Sequence, residues 1–458
     1  MLKIALVNPS HPGKYSQPPM GLALIAAILE HKGYPVKIVD ANALELSPEN
    51  ISHHVNDMDV VGLTAMTPTI GVATKVALHL KRSNPNLIII LGGAHGTLLP
   101  EETLARIPQI DVVVKGEGEK TIIDLLQCLE IKQPLDTVSG IAFRKGNEII
   151  STPSKNESID LNSLPFLAYH LLPYKKYKPH PPHGRAFPFA AVITSRGCPY
   201  RCSYCSKPVF GYKFRTQSDE RVLEELTYYK KSFDVKEIAF YDDVFTLDKK
   251  RVHAIADGIL KRNLRICWSC ETRVNLVDKE LLRHMKMAGC YAIAYGIESA
   301  SQEILDILNK SITPEQVEEA IRITQDAGIQ TIGYFMIGSP GESEKTIKKT
   351  IEFAKKLKLD FAQFSITMPF PGTKLYDIYT RDNKKEPCWD DFVYFGRTIN
   401  TPIFESNALK RIDLQRWASR AHKEFYLRPA YLWQRVRQIS TLADLKVNYE
   451  GFKMLLRA

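Results

Sequence analysis

The 458-residue chain has no apolar run of about 18 residues or more, so no transmembrane helix is expected. Its start, Met1-Leu2-Lys3-Ile4-Ala5-Leu6-Val7-Asn8-Pro9, lacks the basic region, apolar stretch and cleavage site of a signal peptide. It reads as a short strand and a turn, and the expected location is the cytoplasm. No low-complexity tract is present, and no repeat with a period of about 20–50 residues, which excludes repeat architectures. Cysteine is scarce: eight residues, at 128, 198, 202, 205, 267, 270, 290 and 388. In a cytoplasmic chain these are expected as ligands or buried thiols rather than disulfides.

The formal charge of +10 is partly local, because lysines and arginines outnumber acids from Lys410 to Ala458. One reading is a solvated basic face; the other is peripheral docking on an anionic membrane. No nucleic-acid motif accompanies the charge.

The length implies two or three domains. Across 1–135, apolar runs (Lys3–Asn8, Val36–Val39, Val60–Thr64, Leu87–Leu91, Val112–Val114) alternate with helical stretches (Gly21–Lys32, Val72–Arg82, Glu119–Glu130). Such alternation predicts βαβ units and a doubly wound parallel sheet. Gly92-Gly93 and Gly116-Glu117-Gly118 fall at the carboxyl ends of strands, where such sheets bind ligands. No G-x-G-x-x-G follows the first strand, which disfavours a dinucleotide. Residues 136–188 read as a hairpin, turning at Gly146-Asn147, and a proline-rich linker. Six further βα units fill 189–372, from Ala190–Thr194 to Phe361–Thr367. That is short of the eight units and about 250 residues of a closed barrel. A partial (β/α)6 barrel fits, followed by a mostly helical region at 373–458.

The first barrel strand leads into Thr194-Ser195-Arg196-Gly197-Cys198-Pro199-Tyr200-Arg201-Cys202-Ser203-Tyr204-Cys205. Four-iron clusters take cysteine thiolates, normally four. Three on one loop leave one iron open, as catalytic metal sites require. The alternative is a zinc site completed by His180 or His183. Cys267 and Cys270 lie on a predicted strand, whose alternation sends them to opposite faces, so they are expected as buried thiols.

C-x₃-C-x-aromatic-C after a first barrel strand resembles the signature of the radical S-adenosylmethionine (SAM) superfamily. The resemblance implies a [4Fe–4S] cluster on Cys198, Cys202 and Cys205. It implies SAM chelated to the open iron and cleaved to a 5′-deoxyadenosyl radical, with Tyr204 against the adenine. Asp242 and Asp243, ending the second strand, would meet the SAM ammonium. Arg273, ending the third, would pair with its carboxylate or form a salt bridge across the barrel mouth. Glu298 and Ser299 would meet the ribose, and Gly338 would allow close backbone approach.

A doubly wound domain ahead of such a barrel is similar to the cobalamin-binding radical SAM proteins. Asp59–Thr64, Leu91–His95 and Lys115–Glu119 carry that likeness, which implies cobalamin with Thr64, Gly92 and Gly93 near its nucleotide tail. The D-x-H-x-x-G that supplies a cobalt ligand in many such domains is missing: the region reads Asn8-Pro9-Ser10-His11-Pro12-Gly13, with His11 out of register. Cobalamin is therefore expected with its lower base displaced and with neither His11 nor His95 on cobalt.

The leading expectation is methylation of an unactivated carbon in a small molecule, with an external electron donor such as flavodoxin or ferredoxin. The chain also resembles the anaerobic magnesium-protoporphyrin ester cyclase and lipid-modifying groups, including at Phe425-Tyr426-Leu427-Arg428-Pro429. The alternative is then radical cyclisation or carbon–carbon bond formation on a tetrapyrrole or lipid. A non-catalytic iron–sulfur electron carrier or redox sensor is the rival of another class, disfavoured by the SAM-contact motifs.

Overall fold

The computed structural model describes residues 1–10, 15–154, 158–177, 179, 184–383, 389–392 and 409–438. His11, His180, His183, Cys388 and the basic stretch beyond 438 lie outside these residues.

Strands β1 (Ile4–Asn8), β2 (Val36–Asp40), β3 (Val60–Thr64), β4 (Ile88–Gly92) and β5 (Val112–Val114) pair in parallel in the order 2-1-3-4-5. Valine and isoleucine dominate them because helices cover both faces, leaving no face for polar residues. The chain order reverses beside β1, which creates the crevice typical of doubly wound sheets. The expected hairpin forms as β6 (Ile141–Lys145) and β7 (Glu148–Ser151). It adds antiparallel to β5 and so continues this sheet. The linker that follows packs between the two halves of the molecule. Its Tyr177 donates to Asp40 Oδ2 at 2.9 Å, and its Tyr169 hydroxyl donates to the Phe189 carbonyl.

The second half contains β8 (Phe189–Val192), a two-residue ribbon of β9 (Ser195–Arg196) and β10 (Arg215–Thr216), then β11 (Glu237–Phe240), β12 (Cys267–Thr272), β13 (Cys290–Glu298), β14 (Gln330–Ile337) and β15 (Phe361–Ile366). Its six-stranded sheet is parallel throughout, in the order β8-β11-β12-β13-β14-β15. This is the expected open βα barrel. Its helices start where the sequence places caps: Ser218, Asp248, Asp278, Thr313 and Ser343 each accept a backbone N–H of the following first turn. Alternation along β12 places Cys270 in the core between sheet and helices and Cys267 on the opposite face.

An open barrel leaves the last strand with unpaired backbone groups. The helix Arg411–Tyr426 covers that edge. Tyr426 Oη accepts from Ala362 N at 3.1 Å and donates to Ala362 O at 2.9 Å, and His422 Nε2 accepts from Phe364 N. The described part of the C-terminal region is mostly helical, as expected. No described helix is long and apolar enough to cross a membrane.

Candidate functional site

The loop after β8 is pinned from several sides. Gly197 has φ +81°, and a Cβ there would lie 2.3 Å from the Lys213 carbonyl oxygen, so the tight entry to Cys198 requires glycine. Lys207 Nζ donates to the Cys198 carbonyl at 2.8 Å. Ser203 bonds the Leu308 and Ile307 carbonyls through its backbone N–H and its hydroxyl, and Asn309 donates to the Arg201 carbonyl. The loop therefore holds its shape through the protein alone.

Cys198, Cys202 and Cys205 are free thiols gathered on this loop. Burial pushes the Cys205 thiol up to about 11, with Cys202, Asp243 and Cys198 acting in the same direction and Lys207 opposing. Three free thiols on one braced loop form a donor set suited to an iron–sulfur cluster. Among the described residues, no three His, Cys, Asp or Glu side chains close into a site for a single metal ion, and His180 and His183 of the zinc alternative lie outside those residues.

The expected SAM-binding residues divide into two sets. Tyr204 and Glu298 come together: Tyr204 Oη donates to Glu298 Oε1 at 2.8 Å, and Lys310 Nζ reaches both, at 2.9 and 2.8 Å. Glu298 and Lys310 form an ion pair only 6% and 5% exposed. The pair depends on an irregularity in β13, where the register shifts between Gly296 and Glu298 and Glu298 has φ +66°. A Cβ at Gly296 would sit 2.6 Å from Glu298 Oε1 and 2.7 Å from Lys310 Nζ. Asp243 is exposed at the barrel mouth, close enough for its charge to raise the pKa values of Cys205 and Glu271.

Other expected contacts turn elsewhere. Asp242 is buried and accepts from Thr194 N, Thr194 Oγ1 and Ser195 Oγ, so it fixes the start of the cysteine loop. Arg273 lies 3.8 Å over the Tyr200 ring, contacts Cys202 Sγ at 3.5 Å and donates to the Lys310 carbonyl. These contacts make Arg273 a brace of the cysteine loop. Ser299 Oγ meets Thr350 Oγ1 at 3.2 Å on a neighbouring helix. Gly338 gives room to Leu414 of the helix Arg411–Tyr426, since a Cβ would lie 2.8 Å from its Cδ2.

Sequence reasoning passed over Lys310, because a lysine just past a short helix looks like any solvated helix end. It also passed over the bond between the two halves. Arg196, buried beside Cys198, reaches Glu117 and Glu119 (2.6 Å to Glu119), and Arg215 also pairs with Glu117. Glu117 and Glu119 were visible only as parts of a glycine turn.

That turn borders an open cleft between the first sheet, the linker and the cysteine loop. Thr64, Gly92 and Gly93 line it, together with apolar side chains such as Leu6, Leu24, Ile122 and Phe210. Gly21 and Gly92 also line it, yet neither has a positive φ nor any atom within 4 Å of an added Cβ. Packing and backbone conformation do not require glycine at these two positions, and both leave open space in the cleft. The cleft therefore fits a large ligand with an apolar part, such as the tail of cobalamin.

His95 is not part of this lining. It is fully buried against Trp389, with ring centroids 4.6 Å apart, and its Nδ1 lies 3.2 Å from Thr67 Oγ1. Burial, with the nearby Arg106 charge, lowers its pKa to about 4.

An open parallel barrel with a three-cysteine loop, joined through buried ion pairs to a doubly wound sheet with a glycine-lined cleft, defines a two-cofactor radical enzyme. Residues 192–354 match the radical SAM superfamily and residues 13–126 the B12 binding domain. An uncharacterized methyltransferase of Pyrococcus horikoshii is 36% identical over 419 residues, covering 91% of this chain and 89% of its own. The anaerobic magnesium-protoporphyrin IX monomethyl ester cyclase of Rubrivivax gelatinosus is 30% identical over 91% of this chain and 75% of its own. Among solved structures, the cobalamin-bound radical SAM methyltransferase TsrM of Kitasatospora setae matches with a TM-score of 0.70 at 17% identity, covering 83% of this chain and 75% of that one, a likeness of fold. The chain belongs to the radical SAM superfamily, in the group that carries a B12-binding domain ahead of the barrel. It is an enzyme of SAM, a [4Fe–4S] cluster and cobalamin, acting on a small-molecule substrate.

Proposed function

We propose that the protein methylates an unactivated carbon. The supporting observation is the direct abutment of the glycine-lined cleft on the cysteine loop through Arg196, Glu117 and Glu119. When bound, the cluster with SAM supplies hydrogen-abstracting radical chemistry, and cobalamin supplies a methyl carrier.

The protein's own residues hold and orient. Cys198, Cys202 and Cys205 bind the iron cluster and leave one iron open for SAM. Tyr204, Glu298 and Lys310 form a prearranged polar wall for the adenosyl part, already hydrogen-bonded and so costing little further ordering. Asp243 is placed to accept from the SAM ammonium. Asp242 and Arg273 keep the loop rigid. Thr64, Gly92 and Gly93 admit the cobalamin tail. Electrons come from an external donor such as flavodoxin or ferredoxin. The basic C-terminal region offers a peripheral contact to anionic lipid.

The test is product analysis. Anaerobically reconstituted, reduced enzyme is incubated with methyl-labelled SAM and the metabolites that accumulate in a deletion strain. Label in a new carbon–methyl bond is expected. A product that is ring-closed or oxidised, with no label, would transfer the assignment to radical cyclisation. That second reading rests on the cyclase likeness, which spans 91% of this chain.

A further inference from the structure

Most polar side chains lining the cleft already have protein partners. Arg196 is paired with Glu117 and Glu119, and Glu225 is bonded to Arg221 and Tyr229. Gln217 is different. It lines the cleft, is 8% exposed, and its Oε1 has no hydrogen-bond partner among the described residues. Its backbone is fully engaged: the N–H donates to the Thr194 carbonyl, and its own carbonyl accepts from Arg251 Nε. The residue is therefore held in place while its amide is left without a match. A buried amide oxygen without a partner is costly, so its persistence points to a ligand that supplies the match.

The neighbourhood narrows the ligand's chemistry. Leu161, Leu164, Pro165 and Ile193 share the lining with Gln217 and offer only apolar side chains. A flat aromatic base suits such walls. An amide carries both donor and acceptor, and its two ends can exchange places. A benzimidazole released from cobalt presents one ring nitrogen as acceptor, and burying that nitrogen without a donor would itself be costly.

We infer that Gln217, a residue of the barrel half, is the hydrogen-bond partner of the displaced lower base of the corrinoid and selects corrinoids whose base carries a ring nitrogen. The inference rests on the cobalamin reading above. It makes Gln217 a specificity residue for the cofactor tail and gives the barrel a direct share in binding cobalamin.

The experiment titrates full-length, cluster-loaded protein with three corrinoids and follows binding by absorbance, without turnover. The three are hydroxocobalamin, a cobamide with a phenolic lower base, and cobinamide, which lacks the base. Because hydroxocobalamin must also break its cobalt–nitrogen bond to bind with its base displaced, the quantity read is its affinity relative to the phenolic cobamide, a preference expected to be at least about tenfold larger in wild type than in a variant without the amide. Gln217→Leu should lose most of that preference and keep its cobinamide affinity, which also reports that it folds. Gln217→Glu, of nearly equal size, removes the donor and should behave likewise. If both variants keep the wild-type preference, the inference is overturned while cobalamin binding stands. If wild type binds none of the three corrinoids, the cobalamin reading falls and takes this inference with it.

Discussion

The two cofactor regions are built from different materials. On the barrel side, side chains do the holding: Arg273 stacks on Tyr200, Lys310 joins Tyr204 to Glu298, and Asp242 gathers Thr194 and Ser195. In the cleft, glycines and apolar groups prevail, and the lining charges are paired. The difference follows from what each must hold. A cluster and a sulfonium cosubstrate need ligating atoms and placed charges. A large tail needs shape and emptiness. Mutations on the barrel side should therefore act through lost partners, and those in the cleft through lost space.

The largest expected effect is at the thiols. Cys198→Ala, Cys202→Ala or Cys205→Ala should abolish SAM cleavage and lower iron well below the roughly four per chain of a single cluster. Cys267→Ala should keep its iron, since that thiol lies on the barrel strand β12 away from the loop. Iron retained in Cys198→Ala and lost in Cys267→Ala would reverse the assignment.

Next comes the buried ion pair. Lys310→Met strands Glu298 without its cation, and a loss of about 3–5 kcal/mol in unfolding free energy is expected. SAM affinity should fall with it while iron content remains normal. Denaturant titration and equilibrium binding measure the two effects. An unchanged midpoint together with unchanged affinity would return the pair to an incidental surface role.

Glu342 provides a pH-dependent contrast with the paired acids of the cleft. It is buried with no cation paired to it among the described residues, accepts from Gly338 N at 2.6 Å and Ser339 N at 3.0 Å, and burial raises its pKa to about 7. The folded state thus binds its proton more tightly than the unfolded state does. Its contribution is fully present below about pH 4.5 and declines as pH rises to about 7, by on the order of 3 kcal/mol. Glu342→Gln keeps an oxygen for both N–H groups and should flatten that decline. Parallel wild-type and variant stability curves from pH 5 to 8 would refute this account.

The smallest effect separates two adjacent glycines. Gly93→Ala places a Cβ 2.8 Å from the Ala65 carbonyl at φ +94°, and should cost about 1–3 kcal/mol of stability. The Cβ added in Gly92→Val meets no atom within 4 Å, and the variant should leave the melting temperature nearly unchanged. Its added methyls enter the cleft instead, and cobalamin affinity should fall about tenfold. Equal melting shifts in the two variants would erase the distinction between backbone need and ligand space.

The amino-acid sequence by itself determined the order of elements, because buried parallel strands must be apolar on both faces and helices announce their caps. It also determined the cysteine loop, since ligating chemistry admits few residue types at fixed spacing. Tertiary structure alone decided which polar residues remain open to a ligand. Asp242 and Asp243 are neighbours in sequence, yet one is enclosed by Thr194 and Ser195 and the other stays exposed at the barrel mouth. Arg273 stands at a strand end in sequence, and only the fold brings it over Tyr200 and onto the Lys310 carbonyl. Lys310, Arg196 and Gln217 gained their meaning only when distant segments met. Hydrogen bonding and charge depend on partners brought within a few ångströms, and those partners are set by how the chain packs rather than by the residues beside them in sequence.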